Sequence, residues 1–137
     1  MKSKYFADPA TVVEVFVETF RQAAADARIA EVVGKLKRLV YFDYTQDDPL
    51  VSFYLDARGQ DIQVEAGSPV DQPDVTISSG GDVGHQAWAD QLNIMMAVAT
   101  GRIKAKGSTG SLLQLAPALK MITPIYLRVL SQKGIGA

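Results

Sequence analysis

Residues 40–65 read VYFDYTQDDPLVSFYLDARGQDIQVE, and the alternation within them decides the fold. Val40, Phe42 and Tyr44 alternate with Tyr41, Asp43 and Thr45. Val51, Phe53 and Leu55 alternate with Ser52, Tyr54 and Asp56, and Ile62 and Val64 with Gln63 and Glu65. A period of two in short β-branched and aromatic runs is the pattern of strands with one buried face. Gln46-Asp47-Asp48-Pro49 and Ala57-Arg58-Gly59-Gln60 supply turn chemistry between the runs. The stretch predicts three antiparallel strands in a meander.

Toward the N-terminus the period is helical. Asp8-Pro9 offers a capping side chain followed by proline at the first helical position. Val13, Phe16, Val17, Phe20, Ala24 and Ala27 then recur at three-and-four spacing. A second helix is predicted from Asp26, burying Ile29, Val32, Val33 and Leu36, with Gly34 weakening it or marking a close backbone approach.

Toward the C-terminus, Pro73 admits a fourth strand over residues 74–78. Gly80-Gly81-Asp82 ends it, with Asp82 as a candidate cap for a helix carrying Val83, Ala87, Trp88 and Ala89. A further helical stretch holds Leu92, Met95, Met96 and Ala99 and stops at Gly101. Arg102-Ile103-Lys104-Ala105-Lys106 alternates as a fifth short strand. The remainder reads as apolar helix broken or kinked at Pro117 and at Thr123-Pro124. The expected fold class is α+β, a mostly antiparallel sheet with helices gathered on one face and the other face wetter. No repeat or linker divides residues 1–137, so one domain is expected, with residues 1–34 forming the N-terminal helices.

Composition narrows the function. Hydrophobic residues make up 47% and charged residues 21%, which excludes a disordered or low-complexity chain. Fourteen Lys+Arg against 15 Asp+Glu give a net charge of -1, without the basic excess of a nucleic-acid binder. The chain lacks cysteine, which removes disulfides, thiolate nucleophiles and zinc–thiolate sites and fits a reducing cytoplasm. One histidine excludes a multi-histidine metal centre, and no cofactor is expected. The most apolar long stretch, Leu112 to Leu130, carries Gln114, Lys120, Arg128 and two prolines, so no transmembrane segment is expected. No signal peptide is visible at the N-terminus.

The motifs that carry chemistry are weak. Gly80-Gly81-Asp82-Val83-Gly84 lacks dinucleotide spacing, and Gly107-Ser108-Thr109-Gly110-Ser111 lacks a Walker lysine; both read as turns. Asp47-Asp48 reads as a hairpin turn rather than a calcium loop. His85, near Ser78, Ser79 and Asp82, reads as a solvated surface histidine, the alternative being a general base. Arg102, Lys104 and Lys106 would share one strand face, either as a solvated edge or as an anchor for an anionic headgroup or a coenzyme-A phosphate. The second half also holds more aliphatic and methionine side chains than one core stripe requires, with Ile125 and Leu127 off the stripe of Leu119, Ile122, Tyr126 and Val129. Core packing, a cavity or a dimer surface would each account for the surplus.

The ordered set Pro73-Asp74-Val75-Thr76-Ile77-Ser78, Trp88, Leu92-Asn93 and Gly101-Arg102-Ile103-Lys104-Ala105-Lys106-Gly107 resembles the sterol carrier protein (SCP2-like, type-two nonspecific lipid-transfer) domain family. The resemblance covers residues 35–132, and the lysine-bearing strand between two glycines is its most specific part. It implies a five-stranded sheet covered by helices with an apolar tunnel between the layers. It also implies loosely selective binding of a fatty acid, fatty acyl-CoA, sterol-like or isoprenoid ligand, without catalysis. The family often has proline where Ile94 stands. The chain ends Gly136-Ala137 without a Ser-Lys-Leu-type tripeptide, so a cytoplasmic rather than peroxisomal location is expected.

On this reading the tunnel is lined by Met95, Val98, Leu112, Leu115, Leu119, Ile122 and Tyr126 from the helices and by Phe53 and Ile103 from the sheet, with Trp88 as wall or core. Arg102, Lys104 and Lys106 would meet the headgroup. The expected partner is a lipid or acyl-CoA, not a nucleic acid, with transient membrane contact and a monomeric or homodimeric chain. The competing reading is an accessory module whose apolar C-terminal helix is a dimer or partner surface.

Overall fold

Asp8 starts the fold as the sequence predicts. In the computed structural model its Oδ1 accepts hydrogen bonds from the backbone N–H of Thr11 at 2.8 Å and from Thr11 Oγ1 at 3.0 Å, with Pro9 opening helix α1, Pro9–Ala25. Asp26 ends α1 and begins α2, Ala27–Gly34, its Oδ1 accepting from the N–H groups of Arg28 and Ile29. Caps of this kind stabilise by about 1 kcal/mol each. The structure describes residues 3, 5–6, 8–46, 50–107 and 110–135, and the side chains of 110–116 lie outside the description. The Asp47-Asp48-Pro49 turn and the Ser108-Thr109 turn therefore fall outside it.

The sheet comprises β1 (Leu39–Tyr44), β2 (Val51–Asp56), β3 (Gln63–Ala66), β4 (Val75–Ser78) and β5 (Lys104–Gly107), in the order β3-β2-β1-β4-β5. The meander appears as expected, with Phe42 opposite Phe53 and Leu55 opposite Val64. The β1–β4 pair is parallel and the remaining pairs are antiparallel, so the sheet is mixed. Val40, Phe42, Tyr44, Val51, Phe53, Leu55, Val64 and Val75 are buried on the helix-covered side. Tyr41, Asp43, Ser52, Tyr54, Thr76 and Ser78 are only half-buried on the other. The fifth strand is shorter than its alternation suggested: Arg102 and Ile103 precede it.

Helix α3 spans Gly81–Trp88, α4 Ile94–Ala99 and α5 Gly110–Gln132. Gly80, not Asp82, is the N-cap of α3, and Asp82 sits in its first turn. Gly84 lets α3 lie against β1, since a Cβ there would stand 2.7 Å from two carbons of the Tyr44 ring. Gly107, at φ 93, has the same role at the β4–β5 edge, where a Cβ would stand 2.1 Å from the carbonyl oxygen of Asp74. Helix α5 continues through Pro117 and Pro124 instead of breaking. Both prolines lie on its exposed side, while Ala118, Ile122, Ile125, Tyr126, Val129 and Leu130 are buried in the core. That burial holds the helix together where the missing proline N–H would otherwise end it. Among the described side chains of α5, Leu127, at 37% exposure, is the exposed large hydrophobic.

Candidate functional site

Between the α1–α2 corner and the sheet lies a small cavity with only apolar side chains around it. Helix α1 contributes Phe20, Ala23 and Ala24, and α2 contributes Ile29 and Val33. The sheet contributes Val40, Phe42 and Leu55, with Ile62 just ahead of β3. Trp88 at the end of α3 and Ile122 of α5 complete the wall. The open space is about 20 Å³, roughly what one water molecule occupies. It exists because Ala23 and Ala24 reach less far than the aromatic rings beside them. Phe20 stands edge-on to Trp88 at 4.8 Å between centroids, and Phe42 stacks on Phe53 at 4.7 Å.

Polar atoms behind this wall are few and ordered. Trp88 Nε1 donates to Tyr44 Oη at 2.9 Å, fixing the indole against the cavity. Burial holds the Tyr44 phenol well above its ordinary pKa, partly offset by that hydrogen bond. Tyr126 Oη lies 2.7 Å from His85 Nδ1, and burial, with the nearby Tyr44 and Asp82, raises the Tyr126 phenol likewise. His85 is fully buried, which corrects its reading as a surface histidine. The Tyr5 ring covers it at 4.0 Å and the Phe6 ring at 5.4 Å, two contacts from a segment far away in sequence. His85 Nε2 has no hydrogen-bond partner, and burial pushes the imidazole down to about 4 against the pull of Asp82. Ser79 Oγ donates to the carbonyl of Gly80, so His85 and Ser79 do not meet as base and nucleophile. Among the described residues no cluster of His, Asp or Glu is arranged to hold a metal ion.

The sequence-predicted residues separate into groups. Trp88 and Ile122 line the cavity. Phe53 and Tyr126 are fully buried in the core around it, and Leu119 is half-buried against that core. Ile103 packs in a separate small cluster with Ala87 and Ala97. Met95 and Val98 do not line the cavity: they are 74% and 44% exposed, because α4 turns only Ala97 fully inward. Leu112 and Leu115 lie outside the described side chains. Lys104 and Lys106 pair in register with Ser78 and Thr76 on the uncovered sheet face, away from the cavity, and Arg102 Nη2 donates to Gln86 Oε1 at 3.2 Å. The cavity wall from α1 and α2 was not anticipated. Its signal was the Ala23-Ala24-Ala25 run opposite large apolar residues.

The chain is thus an α+β domain with a mixed five-stranded sheet, helices on one face and a small apolar cavity between the layers. The chain belongs to the SCP-2 sterol transfer family, whose model matches residues 16–120. Among solved structures it is similar to sterol carrier protein 2 from Yarrowia lipolytica in its apo form. The identity is 21% over 90% of this chain and 95% of that one, with a TM-score of 0.59. It is also similar to the sterol carrier protein domain 2 of Helicoverpa armigera, at 16% identity over 85% of each chain and a TM-score of 0.61. The UbiJ-SCP2 ubiquinone synthesis protein is 10% identical over 85% of this chain and 95% of that one, with a TM-score of 0.62. No curated protein sequence matches the chain. No helix among the described residues is long and apolar enough to cross a membrane.

Proposed function

We propose that residues 1–137 form a lipid-binding and transfer domain that shelters an acyl chain or ring system between its helices and its sheet, without catalysis. The family supports a lipid-carrier role, and the all-apolar cavity is the observation that carries the reading for this chain. Ligand sites usually measure about 300–1,000 Å³. The cavity of about 20 Å³ must therefore widen, by the helical layer parting from the sheet around Ala23 and Ala24. Each buried CH₂ contributes about 0.8 kcal/mol, so a sixteen-carbon chain offers roughly 10 kcal/mol against that cost. Trp88 and Ile122 then become ligand contacts, with Phe53, Leu119 and Tyr126 behind them.

The ligand classes to test are fatty acid, fatty acyl-CoA, sterol-like and isoprenoid lipids. The neighbours' names, sterol carrier proteins and a ubiquinone synthesis protein, point to the last two. The composition without cysteine supports a reducing, cytoplasmic setting. Native mass spectrometry of the purified chain, followed by solvent extraction, tests the proposal. A stoichiometric co-purified lipid supports it; a clean apo protein that also ignores added fatty acid, acyl-CoA, sterol and prenyl lipid refutes it.

A further inference from the structure

His85 is fully buried, yet its Nε2 has no hydrogen-bond partner. Burial keeps the imidazole neutral at pH 7, so it carries one ring proton. Its Nδ1 lies 2.7 Å from Tyr126 Oη. Among the described residues the Tyr126 hydroxyl makes no other hydrogen bond, so its proton goes to Nδ1; the opposite arrangement would strand the phenol proton as well. The ring proton therefore sits on Nε2, as a buried donor without an acceptor. Folds seldom leave such a group unanswered, because its lost hydration is not replaced.

This donor stands next to the apolar cavity. In α1, Phe20 lines the cavity and Phe16 is one turn away; the same relation joins Trp88 to His85 in α3 and Ile122 to Tyr126 in α5. Residues three or four apart share a helix face, so Phe16, His85 and Tyr126 form a layer adjoining the cavity. Phe16 stacks on Tyr126 at 5.6 Å between centroids, and the His85 ring lies 5.5 Å from that of Tyr126. Tyr5 and Phe6 cover His85 from outside the helices. Side chains hold that segment: Ser3 Oγ donates to Asp82 and accepts from the N–H groups of Tyr5 and Phe6, and Gln86 Nε2 donates to Tyr5 Oη at 3.1 Å. Among the described residues, Ser3, Tyr5 and Phe6 make no backbone–backbone hydrogen bond, so lifting them breaks no helix or sheet.

We propose that the Nε2–H of His85 binds the carbonyl oxygen of a neutral lipid, a long-chain ketone or ester, whose tail lies in the widened cavity and whose polar end enters as the Tyr5–Phe6 segment lifts. This deepens the lipid-carrier reading and rests on it. A carbonyl oxygen accepts a hydrogen bond and brings no proton that needs a partner of its own, which suits a site with one spare donor. A fatty carboxylate suits it less. Burying an ion calls for a counter-charge, and the charge that acts on His85 is the negative one of Asp82.

The chain has one histidine, so isotope-labelled imidazole nitrogens report this site alone in nuclear magnetic resonance. The delipidated full chain is titrated at pH 7 with methyl palmitate, isotope-labelled at its carbonyl carbon, and separately with palmitate. The free protein should show the ring proton on Nε2. Methyl palmitate should move that proton and the ester carbonyl carbon downfield together, and should bind about tenfold more tightly than palmitate. His85→Phe/Tyr126→Phe removes both partners and strands no polar atom; there the carbonyl shift should vanish and the two affinities should agree within about threefold. A ring proton on Nδ1, an Nε2 signal unmoved by bound ester, or an ester preference that survives in the double variant overturns the proposal and leaves the carrier reading standing. Failure of both ligands to bind overturns the carrier reading, and this proposal with it.

Discussion

The indole nitrogen of Trp88 donates to the buried phenol oxygen of Tyr44 at 2.9 Å, across 44 positions of sequence. This bond ties the end of α3 to β1 and fixes the wall of the apolar cavity. Trp88→Phe should leave the Tyr44 hydroxyl buried without that donor and cost about 1–3 kcal/mol of unfolding free energy. Adding Tyr44→Phe should recover part of the loss, because no buried polar atom is then stranded. A urea double-mutant cycle with simple additivity would contradict this coupling.

Gly84→Ala tests the approach of α3 to the same ring. The added Cβ would lie 2.7 Å from two atoms of a Tyr44 ring that is itself buried, so the helix or the ring must move. A loss of about 1–3 kcal/mol is expected, against the small gain that Gly→Ala brings to an unhindered helix. An unchanged or raised urea midpoint would show that α3 does not need this contact.

His85 should make the fold sensitive to mild acid. Its folded pKa, about 4, lies below the ordinary 6.5, so between these values the unfolded chain takes a proton that the native chain refuses. The histidine penalty is absent above pH 6.5, grows as pH falls toward 4, and reaches at most about 3 kcal/mol. Since His85 is the chain's one histidine, a slope between pH 6.5 and 5 is largely its own. His85→Phe should flatten urea stability across that window, and a slope equal to that of wild type would contradict the assignment.

Ala24→Leu places a larger side chain of similar helix propensity at the cavity wall. Three added carbons exceed a space of about 20 Å³, so thermal stability should fall modestly, by about 1–2 kcal/mol, while affinity for a fatty acid falls at least tenfold, about 1.4 kcal/mol. Wild-type affinity in a folded Ala24→Leu protein would move the ligand away from the α1–α2 corner.

The period-two runs between Val40 and Val64 made the meander legible, because each face has one environment and the residues alternate with it. Asp8-Pro9 and Asp26 marked the helix starts for equally local reasons. The parallel β1–β4 pairing was not legible, since no local pattern distinguishes it from an antiparallel one. Pro117 and Pro124 suggested breaks that burial on the opposite side of α5 overrides. His85 looked like a surface residue because the groups that bury it, Tyr5, Phe6 and Tyr126, are remote in sequence. The apolar surplus of the second half drew the expected lining there. Trp88 and Ile122 from that half do line the open space, but α1 and α2 line it as well, through Phe20, Ala23, Ala24, Ile29 and Val33, and Met95 and Val98 face outward.

The chain's single tryptophan, Trp88, stands at the cavity, so energy transfer from it reports occupancy directly. Delipidated protein would be titrated with a polyene fatty acid that absorbs at the indole emission, and unlabelled lipids would then compete. A saturable one-to-one signal, displaced by competing lipid and lost in Ala24→Leu, is the predicted result. No transfer, or transfer that neither saturates nor responds to Ala24→Leu, would contradict a lipid site between the helices and the sheet.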